Sequence, residues 1–223
     1  MTARVVLKLG GRVAEQAAAE AHGLRAQGYD VVVVHGAGPQ ITAEMERRGI
    51  APSFVDGRRV TTPEVLEVVR KSLLEVNDAV CGAIGPDAVG LAGDVIGLPA
   101  TQVTELGLVG DPVPSAPAEV LEALAAGRIP VIAPLAAGPL NVNADEAAAA
   151  LAVGLGAERI RFVSDVPGVF VDDEVVPEID AALASRMLAD GTFQGGIVPK
   201  LEAALHAVRG GVHASIGTTE VTA

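Results

Sequence analysis

The first third of the chain reads as strand, helix, strand, helix, and that alternation restricts the fold more than any other feature. Arg4-Val5-Val6-Leu7-Lys8-Leu9 is an apolar run of the length of a buried strand. The alanine-rich stretch 13–27 has helical composition and spacing, and Gly28 stops it. Four valines at 31–34 make a β-branched strand over 30–35, and Gly36-Ala37-Gly38-Pro39 opens a second helix running to about residue 48. A strand–helix–strand crossover needs parallel strands, and parallel sheets are covered on both faces. The predicted fold class is therefore α/β, a three-layer α/β/α sandwich around a mainly parallel central sheet.

Further elements continue the pattern. Thr62 suits an N-cap and Pro63 the first turn of a helix ending near residue 81. Residues 86–115, rich in Gly, Pro and Val, suit short strands and hairpins. Helices over 118–126, 145–155, 179–188 and 200–208, with strands at 129–133 and 159–163, complete the reading, and no internal repeat or low-complexity linker interrupts it.

Composition removes several function classes. A chain of 223 residues can bury a real core as one large domain or two small ones. Half its residues are hydrophobic, yet Gly, Asp or Glu breaks every apolar stretch before it reaches membrane-spanning length. Cys81 is the sole cysteine, which excludes a disulfide framework and argues against thiolate zinc ligation. Met-Thr-Ala-Arg runs straight into a strand with no leader ahead of it, so a cytoplasmic enzyme is expected. The net charge of −12 argues against a nucleic-acid partner, and the scarcity of aromatics argues against base stacking.

The same negative charge makes two lysines stand out. Lys8 interrupts the apolar run of the first strand and is followed by Leu9-Gly10-Gly11. Lys200 follows Gly195-Gly196-Ile197-Val198-Pro199, at the predicted first turn of a helix. Each joins positive charge to backbone N–H groups, so each makes sense if a polyanion completes it. In open parallel sheets ligands bind at the carboxyl ends of the strands, which here are Lys8 to Gly11, His35 to Gly38, Ala133-Pro134 and Ser164-Asp165.

Plainer explanations exist for each. Glycine can serve tight turning alone, Lys8 could snorkel from an edge strand, and Lys200 could be solvated. Asn143, in Asn141-Val142-Asn143-Ala144-Asp145-Glu146, is an ordinary N-cap, while a sharper reading sets Asp145 between the two lysines with Asn141 facing a substrate. In Asp56-Gly57-Arg58-Arg59-Val60-Thr61 a guanidinium could grip a carboxylate, and the residues do not separate Arg59 from Arg58. Walker and protein-kinase motifs are missing, and His22, His35, His206 and His213 lack metal-ligand spacing. His35 reads as structural and Cys81 as core.

Six collinear blocks resemble the amino-acid kinase family over nearly the whole chain. They are Val6-Leu7-Lys8-Leu9-Gly10-Gly11, Val34-His35-Gly36-Ala37-Gly38-Pro39-Gln40-Ile41, Asp56 to Thr61, Asn141 to Asp145, Ser164-Asp165-Val166-Pro167-Gly168-Val169, and Gly195 to Lys200. The resemblance is strongest to the branch that uses ATP with Mg²⁺ to phosphorylate the side-chain carboxylate of N-acetyl-L-glutamate in arginine biosynthesis. It implies one domain of two lobes, for substrate and dimerisation (about 1–155) and for nucleotide (about 156–223). It makes Lys8 and Lys200 stabilisers of the transferring phosphoryl group, with Asp145 organising both and no protein-bound metal. Gly36, Ala37, Arg59, Asn141 and Asn143 fall on the substrate side, and Gly10, Gly11, Gly38, Ser164, Asp165, Gly168, Gly195 and Gly196 on the ATP side.

Some positions depart from the family pattern. Ala37 stands where the family usually has glycine, so its methyl must be tolerated at negative φ or crowd the substrate. Residues 133–140 are short for the corresponding hairpin, and 210–218 skip a strand end, loop and helix, which shortens the nucleotide lobe. A chain opening directly on its first strand is expected to form an arginine-insensitive homodimer. Two rivals remain: a family member acting on another carboxylate, carbamate or monophosphate, and a non-catalytic sensor of the same fold. A Rossmann oxidoreductase is excluded by the glycine spacing.

Overall fold

The structure is a computed structural model that describes residues 2–10, 14–163 and 166–223, with residues 14–17 described at the backbone alone. β1 (Arg4–Leu9), α1 (Ala14–Ala26) and β2 (Asp30–His35) form the opening crossover, and α2 (Gly38–Arg47) follows. A small hairpin of β3 (Phe54–Val55) and β4 (Arg58–Arg59) leads to the long helix α3 (Pro63–Ile84). Strands β5 (Ala88–Ala92), β6 (Ala100–Gln102) and β7 (Val109–Pro112), helix α4 (Ala118–Ala125) and β8 (Ile129–Ala133) come next. The hairpin of β9 (Leu135–Ala136) and β10 (Leu140–Val142), helix α5 (Ala144–Gly154) and β11 (Arg159–Val163) then close the middle of the chain. The remainder holds β12 (Phe170–Val171), β13 (Glu174–Val175), β14 (Glu178–Asp180), α6 (Ala181–Ala189), α7 (Ile197–Arg209), β15 (His213–Ile216) and β16 (Thr219–Thr222).

The central sheet has the strand order β14-β16-β15-β11-β1-β2-β8-β5. From β15 to β5 the strands run parallel, β16 reverses against β15, and β14 runs alongside β16. Strand alternation sends Val5, Leu7 and Leu9 to one face, against Ala21 and Leu24 of α1 and Val80 and Ile84 of α3. Val6 points the other way, into the larger cluster with Ala147, Ala148 and Leu151 of α5 and Leu201 and Ala204 of α7. Helices cover both faces, so the three-layer α/β/α sandwich read from the sequence is the observed fold. β1 is a central strand: Lys8 lies opposite Val34 of β2 and Phe162 of β11. The period of two puts its side chain on the α5 side.

Three local readings need correction. Ile179 does not start a helix; it lies in β14, and Asp180 caps α6 by accepting from the N–H groups of Ala182 and Leu183 at 2.9 and 3.0 Å. The last helix begins at Ile197 rather than residue 200, with Pro199 in the first turn, where its missing N–H breaks no intrahelical bond. The β15–β16 hairpin was not expected. Residues 213–216 do complete a sheet strand beside β11 and turn back at once through Gly217, at φ 55°. The N–H of Gly217 donates to Phe162 O (3.1 Å) and that of Thr218 to Pro167 O (2.7 Å), tying the turn to the segment after β11.

Helix α5 seats tightly because its sheet-facing residues are alanines, and its far end approaches another backbone with no room for a side chain. A Cβ added to Gly154 would collide with the backbone of Ser115. Gly154→Ala is expected to cost about 1–3 kcal/mol through overpacking, lowering the melting temperature by roughly 2–4 °C per kcal/mol for a chain of this size. Thermal denaturation followed by circular dichroism checks this, and an unchanged melting temperature would contradict the close approach.

Candidate active site

Lys8 is 4% exposed, so its ammonium has lost nearly all its water. What replaces the water is Asp145: Lys8 Nζ lies 2.8 Å from Asp145 Oδ1. Asp145 is itself buried and sits in the first turn of α5. Asn143 fixes that turn, its Oδ1 accepting from the N–H of Asp145 (2.8 Å) and of Glu146 (3.3 Å). The second carboxylate oxygen faces Lys200, whose Nζ is 3.5 Å from Asp145 Oδ2. Lys200 reaches it from the first turn of α7. Burial pulls the Lys8 ammonium below the usual lysine range; the Asp145 carboxylate opposes this and the neighbouring Lys200 charge adds to it. The structure thus brings Lys8, Asp145 and Lys200 together from a central strand and two helices.

These residues floor a cleft of about 300 Å³ at the carboxyl ends of β1, β2 and β10. Gly10, Gly36, Ala37, Gly38, Arg59, Asn141 and Asn143 also line it. A Cβ on Gly38 would meet nothing within 4 Å, and one on Gly36 nothing nearer than 3.8 Å. Neither glycine is therefore required by packing, and among the described residues no side chain caps the N-terminus of α2. Ala37 has φ −143° and is buried beside Ile41, Met45 and Leu73, so its methyl is accommodated without backbone strain.

The two adjacent arginines part company. Arg58 spends its charge on Glu146, at 2.8 Å, and on Asp111. Arg59 is 7% exposed, and among the described residues no carboxylate pairs with it. Its guanidinium donates to Thr42 Oγ1 (2.9 Å), contacts Met45 Sδ (3.0 Å) and stands 4.6 Å above the Phe54 ring. Burial lowers its affinity for its proton, though no guanidinium deprotonates in such a setting. A buried cation facing a cleft without a counter-ion is a seat for an anion. Asn141 is held beside it, donating to Thr61 Oγ1 (3.0 Å), which in turn donates to Arg59 O (2.8 Å).

Other sequence candidates lie elsewhere. Gly168 is buried where a Cβ would strike Thr219 and Val175, and Gly195 (φ 67°) and Gly196 are exposed ahead of α7; none of the three lines this cleft. Gly11, Ser164 and Asp165 lie outside the described residues. Sequence reading missed Asn77. Its Nδ2 donates to Val131 O (2.9 Å) and lies 3.1 Å from His35 Nε2, while His35 Nδ1 faces Gly36 O at 3.4 Å. His35 is a neutral, structural imidazole at the end of β2. Asn77 could have been suspected as a polar residue on an otherwise apolar helix face.

The sequence pattern described as the amino acid kinase family matches residues 3–217. The chain belongs to that family. Acetylglutamate kinase from Frankia casuarinae is 43% identical over 237 residues, covering 94% of this chain and 65% of the relative. Acetylglutamate kinase from Nocardioides sp. is 46% identical, covering 85% of this chain and 67% of the relative. The chain thus spans about two thirds of the length of these relatives. The 237-residue alignment is longer than the 223-residue chain, so the Frankia kinase carries residues that this family member skips. In fold, the chain is similar to the crystal structure of smu.665 from Streptococcus mutans UA159, with a TM-score of 0.90, 27% identity and 98% coverage of both chains. Among the described residues, no helix is long and apolar enough to cross a membrane.

Burial holds the His35 pKa down from 6.5 to about 4, so the unfolded chain binds a proton between those values that the folded chain refuses. The stability His35 contributes is present above pH 6.5 and is lost as pH falls toward 4. Relative to His35→Gln, the wild type is expected to lose about 3 kcal/mol across that window at about 1.36 kcal/mol per unit. Chemical denaturation of both proteins from pH 7 to 4 checks this; a difference independent of pH would contradict it.

Proposed function

We propose that the chain transfers the γ-phosphoryl group of ATP to the side-chain carboxylate of N-acetyl-L-glutamate, giving N-acetyl-L-glutamyl 5-phosphate in arginine biosynthesis. The observation that carries this reading is one cleft with two cationic stations of different character. The Lys8–Asp145–Lys200 cluster is built for a highly charged, transient group, and Arg59 for a planar carboxylate. The named relatives, both acetylglutamate kinases, point to the same acceptor.

In this reading a side-chain carboxylate oxygen of the acceptor attacks the γ-phosphorus in line. A new O–P bond forms, the bond to the β–γ bridging oxygen breaks, and its electron pair departs with ADP. An acceptor carboxylate with a pKa near ~4.3 is already ionised at neutral pH, so no general base is needed and no proton is transferred. The obstacle is repulsion between two anions, and it is met by fixed positive charge and alignment. Lys8 and Lys200 offset the charge on the transferring group, and Asp145 keeps their ammonium groups in place. Backbone N–H groups of Gly10 and Gly38 face phosphate oxygens. Arg59 and Asn141 hold the α-carboxylate end of the acceptor beside Gly36 and Ala37, while Asn143 serves through the capped turn that carries Asp145. Mg²⁺ would come with ATP and offset part of the nucleotide's charge; among the described residues no cluster of His, Cys, Asp or Glu could hold it on the protein.

The finer assignments belong to the same proposal. The chain up to about 155 forms the acceptor and dimerisation lobe, and the remainder the nucleotide lobe, with Gly11, Ser164, Asp165, Gly168, Gly195 and Gly196 on the nucleotide side. The working unit is a homodimer in the cytoplasm.

A coupled ADP-release assay with N-acetyl-L-glutamate, run beside glutamate, aspartate, aminoadipate derivatives and carbamate, tests the acceptor. Lys8→Ala and Lys200→Ala are each expected to lower kcat by about 10²–10³-fold. Activity that survives both changes would contradict the mechanism. Arg59→Met is expected to raise the acceptor KM on the order of a hundredfold while leaving the KM for ATP unchanged. Equal effects on both substrates would remove Arg59 from the acceptor side.

A further inference from the structure

Apart from the Arg59 guanidinium's own contacts with Thr42 and Met45 of α2, the hairpin that carries Arg59 has few ties to the rest of the chain. Among the described residues, β3 and β4 pair only with each other, around an Asp56-Gly57 turn with φ of 48° and 75°. Phe54 and Val55 are 52% and 46% exposed. At the hairpin base, Val60 N–H donates to Ser53 O at 3.0 Å, and Thr61 is tied to the rest of the chain through Leu106 and Leu108. Across the tip, the fastening is Arg58. Its Nε and Nη2 donate to Glu146 Oε1 at 3.1 and 2.8 Å, and its Nη1 pairs with Asp111 of β7.

Glu146 is not a neutral anchor point. It follows Asp145 directly, and both N–H groups share the Asn143 cap, so Arg58 is strapped to the helical turn that orients Lys8 and Lys200. Arg58 also lines two outer clefts of about 290 and 410 Å³, which makes it part of the wall between them and the reactive cleft. A guanidinium bonded to carboxylates on two elements specifies position and direction, where an apolar contact would specify neither. The pair with Asp111 is largely exposed and contributes little to global stability, and the pair with Glu146 is only part-buried, so geometry is the main thing the arrangement supplies.

We propose that Arg58 is a positioning residue of the phosphoryl-transfer reaction: by pairing with Glu146 and Asp111 it holds the β3–β4 hairpin, and so Arg59, at a fixed separation from the Lys8–Asp145–Lys200 cluster. The inference rests on the acceptor reading given above.

Steady-state kinetics on the full chain, with acceptor and ATP varied separately, test it. Arg58→Met is expected to raise the acceptor KM about tenfold, with the KM for ATP within about twofold of wild type and the melting temperature within about 3 °C. Arg58→Lys should recover part of the loss, and Arg58→Met combined with Glu146→Gln should be no worse than Arg58→Met alone. An acceptor KM within about twofold of wild type, a parallel rise in both KM values, or losses that multiply in the double variant would each overturn the proposal. Should Arg58→Met not fold, Glu146→Gln and Asp111→Asn, which keep the shape and remove the charge, decide by the same criteria. A wild-type chain that phosphorylates no acyl-amino acid refutes the acceptor reading and this proposal with it. An active wild type with an indifferent Arg58→Met refutes this proposal alone.

Discussion

An ammonium group buried on a central strand of the sheet governs the rest of the site. Lys8 sits between two neighbouring strands with almost no access to water, a position that would be prohibitively costly without a partner. Asp145 meets that need, and several features follow from having to deliver it. Helix α5 must come close to the sheet, so its buried face is alanine at 147–150 and 152. Its first turn must not fray, so Asn143 caps it. One carboxylate oxygen is spent on Lys8, which leaves the other for Lys200 on a different helix. The fold thus stores two positive charges side by side in a protein whose overall charge is −12.

Separating the duties of cations is the second theme. The ammonium groups are compact and suit a phosphoryl group whose charge spreads over three oxygens, whereas the Arg59 fork suits a static carboxylate. Arg58, one residue away, faces the other side of a two-residue strand and meets Glu146 and Asp111. Alternation along β4 therefore gives two identical side chains different surroundings, one paired with carboxylates and one buried without a described counter-ion. The requirement for pre-set positive charge also accounts for a cleft in which no imidazole lies beside the lysines; His35 is held neutral by burial and shares hydrogen bonds with Asn77 and Gly36.

Much of the fold was legible because parallel α/β sheets repeat a simple pattern. The apolar strands at 4–9, 30–35, 129–133 and 159–163 were plain, as were the Thr62 and Asn143 caps, since these signals are local. The misreadings came where tertiary pairing overrides local composition. Ile179 precedes a good helix, but the edge of the sheet takes it as a strand; residues 210–218 read as a shortened segment, and β11 and β14 provide the partners that make β15 and β16 strands. In the site, Lys8 was conspicuous because charge inside an apolar run is rare. Arg58 and Arg59 were indistinguishable, because only three-dimensional pairing reveals which charge is left over. At Gly168 close packing against Thr219, and at Gly195 a left-handed φ, call for glycine whatever ligand lies nearby, a requirement that the sequence does not display.

The proposed chemistry depends on Asp145 holding Lys8 and Lys200 as a single unit. Single-turnover phosphoryl transfer measured for Lys8→Met, Asp145→Asn and the double variant tests this most directly. If the three groups act together, Asp145→Asn alone should be nearly as slow as Lys8→Met, and the double variant little slower than either. Rate losses that multiply in the double variant, or an Asp145→Asn enzyme as fast as wild type, would contradict it.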